Sequence, residues 1–304
     1  MPIAVQFDQP VAGPLRRAHM YGGAINVTSP TAAATSLALF ARTLISEAFG
    51  GRDPELAQFD LPGPDYAAIV EALEPRFRYH PDTRRLVQQL LVERGCDPET
   101  TYFDAPRLRI STSDDYLATG LALTCQPHRD TWYSAPLAQL NYWMPVYDVS
   151  EDNALALHPE YFNQAIANGS EEYDHLVWHA QDSGDARTLP GPTETVNPFS
   201  ATVLITPVGG MLQFSGHHLQ SNVPNDSGRT RFSIDFRTVD IDDIRAGLGA
   251  RNVDGRCTGS TIRRFVSAAA LAPVPDDVAA LFDRVGETTG HVADVPPTQP
   301  VSTS

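Results

Sequence analysis

Residues 209–239 read GGMLQFSGHHLQSNVPNDSGRTRFSIDFRTV. Two strand-like runs, the first carrying His217 and His218 and the second carrying Arg231, flank a stretch of Pro, Asn, Asp, Ser and Gly. Turn residues of this kind between strand-like runs mark a hairpin, and the side-chain period of two puts Arg231 and Ser233 on one face of the second strand. Such a hairpin can place a histidine ligand and an anion-binding Arg in one cavity, because a guanidinium grips a carboxylate through two parallel hydrogen bonds.

The chain around this hairpin changes texture once. Before Pro106 it reads as helical: an amphipathic helix from Ser29 to about Phe49 behind the cap-like Thr28, Ser29 and Pro30, a second from Asp65 to Leu73 stopped before Pro75, and a third from about Asp82 to Arg94 closed by Gly95. After Pro106 the pattern becomes strand-like, beginning with RLRIS at 107–111 and continuing through Ala138–Val146, Ala154–Leu157, Ala201–Thr206, Gly210–Phe214 and Arg231–Val239. Tyr173–Gln181 reads as a short helix between them. Helices followed by many short strands predict an α+β chain with a β-sandwich or barrel core. No internal linker is evident, so residues 1–284 are expected to form one domain: a helical part over about 1–100, a β core over about 101–240 and a helical part over about 241–284. The Thr-, Pro- and Ser-rich residues 285–304 are expected to be a mobile tail.

Composition narrows the function classes. The 304 residues carry 22 basic and 37 acidic side chains, a net charge of −15, and every basic residue is Arg. Without Lys, Schiff-base chemistry and a Walker-type phosphate lysine are excluded. A strongly acidic chain repels phosphate backbones, so no nucleic-acid partner is expected. No run of about 18 apolar residues suggests a membrane span, and the opening MPIAVQFDQP does not read as a secretory signal. Cys96, Cys125 and Cys257 have neither metal-like spacing nor the number for a disulfide framework, which fits a reducing, cytoplasmic setting. A small-molecule enzyme is the leading class.

The chemistry-bearing signal is QPHRDTWY, residues 126–133. In an extended segment His128 and Asp130 project to the same face, supplying two of the three donors of a 2-His-1-carboxylate Fe(II) site. By itself the H-x-D spacing is common, and an ordinary surface His–Asp pair is the bland alternative. Arg129 between them is expected to face away.

These residues together resemble the phytanoyl-CoA dioxygenase-like group of Fe(II)/2-oxoglutarate-dependent oxygenases. The resemblance is clearest over 126–162, including QLNYWMPVYDVSEDNALALHPEYF, and over 209–239. It implies a double-stranded β-helix (a jelly roll of cupin type) with the N-terminal helices packed outside. It further implies Fe(II) and 2-oxoglutarate as metal and cosubstrate, O2 as oxidant, and a small organic substrate that is hydroxylated, desaturated or cyclised, as in bacterial specialised metabolism. His128 and Asp130 would be metal ligands, and Arg231 with Ser233 would bind the far carboxylate of 2-oxoglutarate. Asp130 speaks for oxygen chemistry rather than halogenation, since halogenating members lack the carboxylate.

One position departs from the group's pattern. Counting back from Asn225, Arg231 and Ser233 puts the distal histidine at residue 220, which is Gln. His218 shares strand parity with 220 and fills the slot after a two-residue shift, whereas His217 needs a bulge. The third ligand is therefore taken as His218, with Gln220 and His217 as alternatives, and Gln220 would bind metal more loosely. Trp132 and Tyr133 are expected to line the pocket. Arg109 is expected either to reach cosubstrate or acidic substrate, or to form a surface ion pair. A same-fold isomerase, cyclase or binding protein that does not consume 2-oxoglutarate is the alternative function.

Overall fold

The computed structural model describes residues 4–8, 13–114, 116–117, 126–175 and 189–283. Eleven strands lie among these residues: β1 (Val5–Phe7), β2 (Ile25–Thr28), β3 (Thr101–Phe103), β4 (Arg107–Ser111), β5 (Leu140–Pro145), β6 (Leu155–Leu157), β7 (Thr202–Leu204), β8 (Met211–Ser215), β9 (Gln220–Asn222), β10 (Arg231–Asp240) and β11 (Val266–Ser267). They form a mixed α/β protein with a large sheet, in the order β1-β2-β8-β5-β10-β3-β11 with β4 also paired to β10, and a small sheet in the order β7-β6-β9. All pairings are antiparallel except β1 with β2.

Strand β10 explains how the layers sort. Its sequence RFSIDFR alternates polar and apolar residues, so Phe232, Ile234 and Phe236 enter one core while Arg231, Ser233, Asp235 and Arg237 turn to the opposite face. Of the helices α1 (Gly13–Tyr21), α2 (Ala32–Ala48), α3 (Ala57–Asp60), α4 (Gly63–Arg78) and α5 (Pro81–Glu93), the apolar face packs against α2, α4 and α5, whose Leu37, Ala41, Ile45, Tyr66, Phe77 and Leu90 are buried in the same cluster. Each buried Phe or Leu there contributes about 1.5–3 kcal/mol, so the helices act as the sheet's outer wall. A second cluster (Ile25, Val27, Trp143, Leu155, Leu157, Leu212 and Phe214) joins the two sheets. The polar face of β10 lies between the sheets, beside that cluster.

Several sequence expectations need adjustment. Helix α2 starts at Ala32, not Ser29, because Thr31 Oγ1 accepts from the backbone N–H of Ala34 and the Glu93 carboxylate accepts from Ala32 and Ala33 at 3.2 and 2.9 Å. Helix α4 runs through Pro75 to Arg78, held beyond the proline by fully buried Phe77. The first hundred residues also donate β1 and β2 to the large sheet. Among the described residues after Asp240 the chain is mostly irregular, with α-helices at Ile241–Arg245 and Asp276–Asp283 and a 3-10 turn at Ile262–Arg264. Cys125, most of the helix expected at Tyr173–Gln181 and the tail 285–304 lie outside the described residues. Among the described residues no helix is long and apolar enough to cross a membrane.

Candidate metal and cosubstrate site

Residues 128–130 are anchored by backbone before any side-chain chemistry begins. His128 and Gln220 exchange both backbone hydrogen bonds at 2.9 Å, which adds residue 128 to the small sheet opposite the first residue of β9. A directly opposed pair of this kind puts the two side chains on one face. Arg129 turns the other way and is fully buried, donating to Asp254 Oδ2 at 3.1 Å and to the carbonyls of His217, Tyr161 and Gln164 at 2.6, 2.7 and 2.9 Å. Asp130 then begins a short 3-10 turn, Asp130–Tyr133, and its Oδ1 lies 3.9 Å from His128 Nε2.

The protonation states suit cation binding. His128 Nδ1 lies 3.0 Å from the Gln126 carbonyl, so this nitrogen carries the proton and Nε2 keeps its lone pair. Burial pushes the imidazole's pKa below its usual value, against the pull of Asp130, and so keeps it neutral. Burial also opposes ionisation of Asp130, but the Arg237 charge, His128 and the hydrogen bonds from Asn141 and Arg237 outweigh it and hold the carboxyl below its ordinary range. Asp130 Oδ2 accepts from Gln139, Asn141 and Arg237 at 2.8, 3.0 and 3.3 Å, and Oδ1 accepts from Gln220 Nε2 at 2.9 Å.

His218 does not join this group. Its fully buried ring packs 4.6 Å from Phe162 and 6.0 Å from Phe214, between centroids. The parity argument fails because 216–219 form a turn, with His218 N–H donating to Ser215 O at 3.0 Å, so the extended register restarts at Gln220. His217 lies beside Thr131, its Nδ1 3.2 Å from Oγ1. Among the described residues no group of three or more His, Cys, Asp or Glu could hold a metal ion. The donor set is one imidazole, one carboxylate and the Gln220 amide.

Two chambers meet at His128. The first, about 100 Å³, lies between the sheets and is lined by His128, Gln220, Asn222, Arg231, Ser233 and Asp235 among others. Arg231 is positioned by the carbonyl of Asn153 at 2.9 Å and by Asn222 Oδ1 at 3.1 Å. Ser233 is fully buried and its Oγ has no hydrogen-bond partner among the described residues, a state that a ligand with acceptor oxygens would relieve. The second chamber, about 340 Å³, opens from His128 and Asp130 past Tyr133 and Tyr173. Arg109 borders both and pairs with Asp235 at 2.6 Å.

Trp132 is not a lining residue. It is fully buried with Tyr161, Ile166 and Leu219, and its Nε1 donates to Asp254 Oδ1 at 2.8 Å. Sequence reasoning overlooked Gln139, Asn141 and Arg237, the three donors to Asp130 Oδ2. The polar row 231, 233, 235, 237 in RFSIDFR was the available signal for Arg237, and Asn141 faces it across the sheet in register.

No protein-family model matches the sequence, and no curated protein matches it. Solved structures similar to the chain include EvdO2 from Micromonospora carbonacea var. aurantiaca complexed with 2-oxoglutarate, at 13% identity and TM-score 0.45, covering 79% of this chain and 94% of that one. EvdO2 in a second structure aligns at 14% identity and TM-score 0.36, covering 55% of this chain and 62% of the other, under two thirds of its length. The apo form of ThoJ, a non-heme monooxygenase, gives 14% identity and TM-score 0.36, covering 70% of this chain and 72% of that one. Similarity at this level does not establish a common fold, and the phytanoyl-CoA dioxygenase-like resemblance rests on the motif residues themselves.

Proposed function

We propose that the protein is a non-haem Fe(II)/2-oxoglutarate-dependent oxygenase of double-stranded β-helix type, acting on a small organic substrate. The observation that carries this reading is the convergence of His128 Nε2, the Asp130 carboxylate and the Gln220 amide at the mouth of a chamber walled by Arg231 and the unpartnered hydroxyl of Ser233. Imidazole, carboxylate and amide oxygen all suit Fe(II), and a bidentate keto acid would add two further donors at the open positions. Ferrous iron with 2-oxoglutarate and O2 would supply the oxidising chemistry when bound, O2 being the oxidant that couples decarboxylation of the keto acid to succinate and carbon dioxide with hydrogen removal from the substrate.

The chain's own residues bind and orient. His128 offers a neutral nitrogen whose direction is fixed by Gln126. Arg237, Asn141 and Gln139 hold Asp130 ionised and aimed. Arg231 and Ser233 take the far carboxylate of 2-oxoglutarate, the guanidinium supplying charge and the hydroxyl a further donor. Burial between the sheets keeps water from this end of the chamber.

Anaerobic addition of Fe(II) and 2-oxoglutarate should give a weak visible charge-transfer band that His128→Ala abolishes. Equal bands in the two proteins would refute the assignment. A second reading, a binding protein or an isomerase or cyclase of the same fold that does not consume 2-oxoglutarate, draws on the four donors already engaging Asp130 and the missing second imidazole. Succinate release separates the two.

A further inference from the structure

The second chamber carries an unbalanced charge. Arg107, Arg109, Arg237 and Arg264 line it, against Asp104 and Asp130. Arg237 pairs with Asp104 and Asp130 at 3.5 and 3.3 Å, Arg107 with Asp104 at 3.5 Å, and Arg109 with Asp235 behind it at 2.6 Å. With Asp235 counted, the guanidiniums among the described residues still outnumber the carboxylates by one. The surplus one is Arg264, exposed at the chamber's rim and without an ion-pair partner among the described residues. In a chain of net charge −15 such a local excess is a selective feature.

An aromatic wall connects this cation to the metal position. The Tyr133 ring lies 5.4 Å from the His128 ring, tilted by 30°, and 5.9 Å from that of Tyr173. Tyr133 is fixed by its hydroxyl, which donates to the Pro190 carbonyl at 2.8 Å. Tyr173 and Phe265 complete this side of the chamber next to Arg264. A flat or apolar body lying along Tyr133 and Tyr173 would have one end at His128 and Asp130 and the other within reach of the free guanidinium.

Resting on the proposed oxygenase reading, we propose that the substrate is an anion: an aromatic or apolar-bodied carboxylate whose charged end pairs with Arg264 and whose body stacks along Tyr133 and Tyr173. A guanidinium matches the two oxygens of a carboxylate, and the aromatic faces favour a planar or hydrocarbon body over a hydrated one.

The test uses binding, so it does not depend on turnover. 3-Phenylpropionate and its neutral analogue 3-phenylpropionamide are titrated calorimetrically into the full-length protein, into Arg264→Gln, into the charge reversal Arg264→Glu and into Arg231→Met. The acid should bind wild type at least tenfold more tightly than the amide. Arg264→Gln should erase that preference, Arg264→Glu should instead prefer 3-phenylpropylammonium, and Arg231→Met should keep the wild-type pattern. Equal affinity for acid and amide, no binding of the acid at millimolar concentration, or a preference lost in Arg231→Met but kept in Arg264→Gln would each overturn the proposal. The Fe(II)/2-oxoglutarate absorption band of wild type reports separately on the oxygenase reading. A band without the Arg264-dependent preference sinks only the substrate class. The preference without a band sinks the oxygenase reading and leaves an anion-binding chamber.

Discussion

The side-chain amide nitrogen of Gln220 lies 2.9 Å from Oδ1 of Asp130, so the residue opposite His128 in the sheet is a hydrogen-bond donor to its neighbour. An amide rotated by half a turn presents its oxygen instead, and that is the group a cation between His128 and Asp130 would meet. The amide is the weakest of the three donors, and its replacement is the sharpest probe of the site.

Gln220→His should tighten Fe(II) or Co(II) binding by about tenfold or more, because imidazole is the stronger ligand for these ions. Competition with a chelating dye under anaerobic conditions measures this. Unchanged affinity would place the cation away from residue 220.

Ser233→Ala should cost the unliganded fold little, since a buried hydroxyl without a partner contributes no hydrogen bond to lose. It should nevertheless weaken 2-oxoglutarate binding several-fold, and Arg231→Met should weaken it by about a hundredfold, as expected for a charge-assisted pair. Calorimetry with 2-oxoglutarate, paired with melting temperatures, separates the two effects. Destabilisation of the free protein by Ser233→Ala would mean that the hydroxyl is already engaged.

Asp254 serves three donors at once: Arg129 Nε, Trp132 Nε1 and the backbone N–H of Ile166 at 3.1, 2.8 and 3.1 Å. Asp254→Ala strands the fully buried guanidinium of Arg129, the residue between the two proposed ligands in sequence. A loss of about 3–5 kcal/mol in unfolding free energy is expected, large enough to prevent folding in a marginal protein. Trp132→Phe, which removes one donor and leaves the ion pair, should cost about 1–3 kcal/mol. Urea denaturation of both variants tests the ranking, and a larger loss in Trp132→Phe would invert the account.

His217 and His218 make stability depend on pH. Burial, reinforced by the Arg129 charge, pushes both rings down to about 3. The unfolded chain protonates them near pH 6.5, as ordinary histidines do, while the folded chain does not. Between about 6.5 and 3 the unfolded state therefore binds more protons, and stability falls as the pH falls, each ring adding a slope of about 1.4 kcal/mol per pH unit when fully in that window. Urea midpoints from pH 7.5 to 5 should show this decline, and His218→Phe should make it shallower. A flat profile would mean that both rings are charged or solvated in the folded protein.

How far the sequence could be read differs between strands and turns. The period of two in RLRIS and RFSIDFR is a local property, so β4 and β10 and the face shared by Arg231 and Ser233 were legible. The identity of the residue beside His128 was not, because it depends on where the chain stops turning after Ser215, and four residues of turn erase the parity that linked His218 to 220. Trp132 misled for a related reason. Its position next to Asp130 suggested the pocket, yet the 3-10 turn carries it backwards to Asp254. Residues 5–7 and 25–28, strands of three and four residues at one end of the large sheet, are too short to show any period, and only the pairing of β2 with β8 and of β1 with β2 makes them sheet.

Strand β10 has a consequence for how this protein can change over time. Its odd-numbered side chains build the polar chamber and its even-numbered ones the apolar wall under the helices, so the strand tolerates exchange of residues far better than a change of length. Deleting or inserting a single residue within 231–237 would send phenylalanines into the polar chamber and guanidiniums against Tyr66 and Phe77. Lineages descending from this chain should therefore vary freely in the letters of that strand and hardly at all in its spacing.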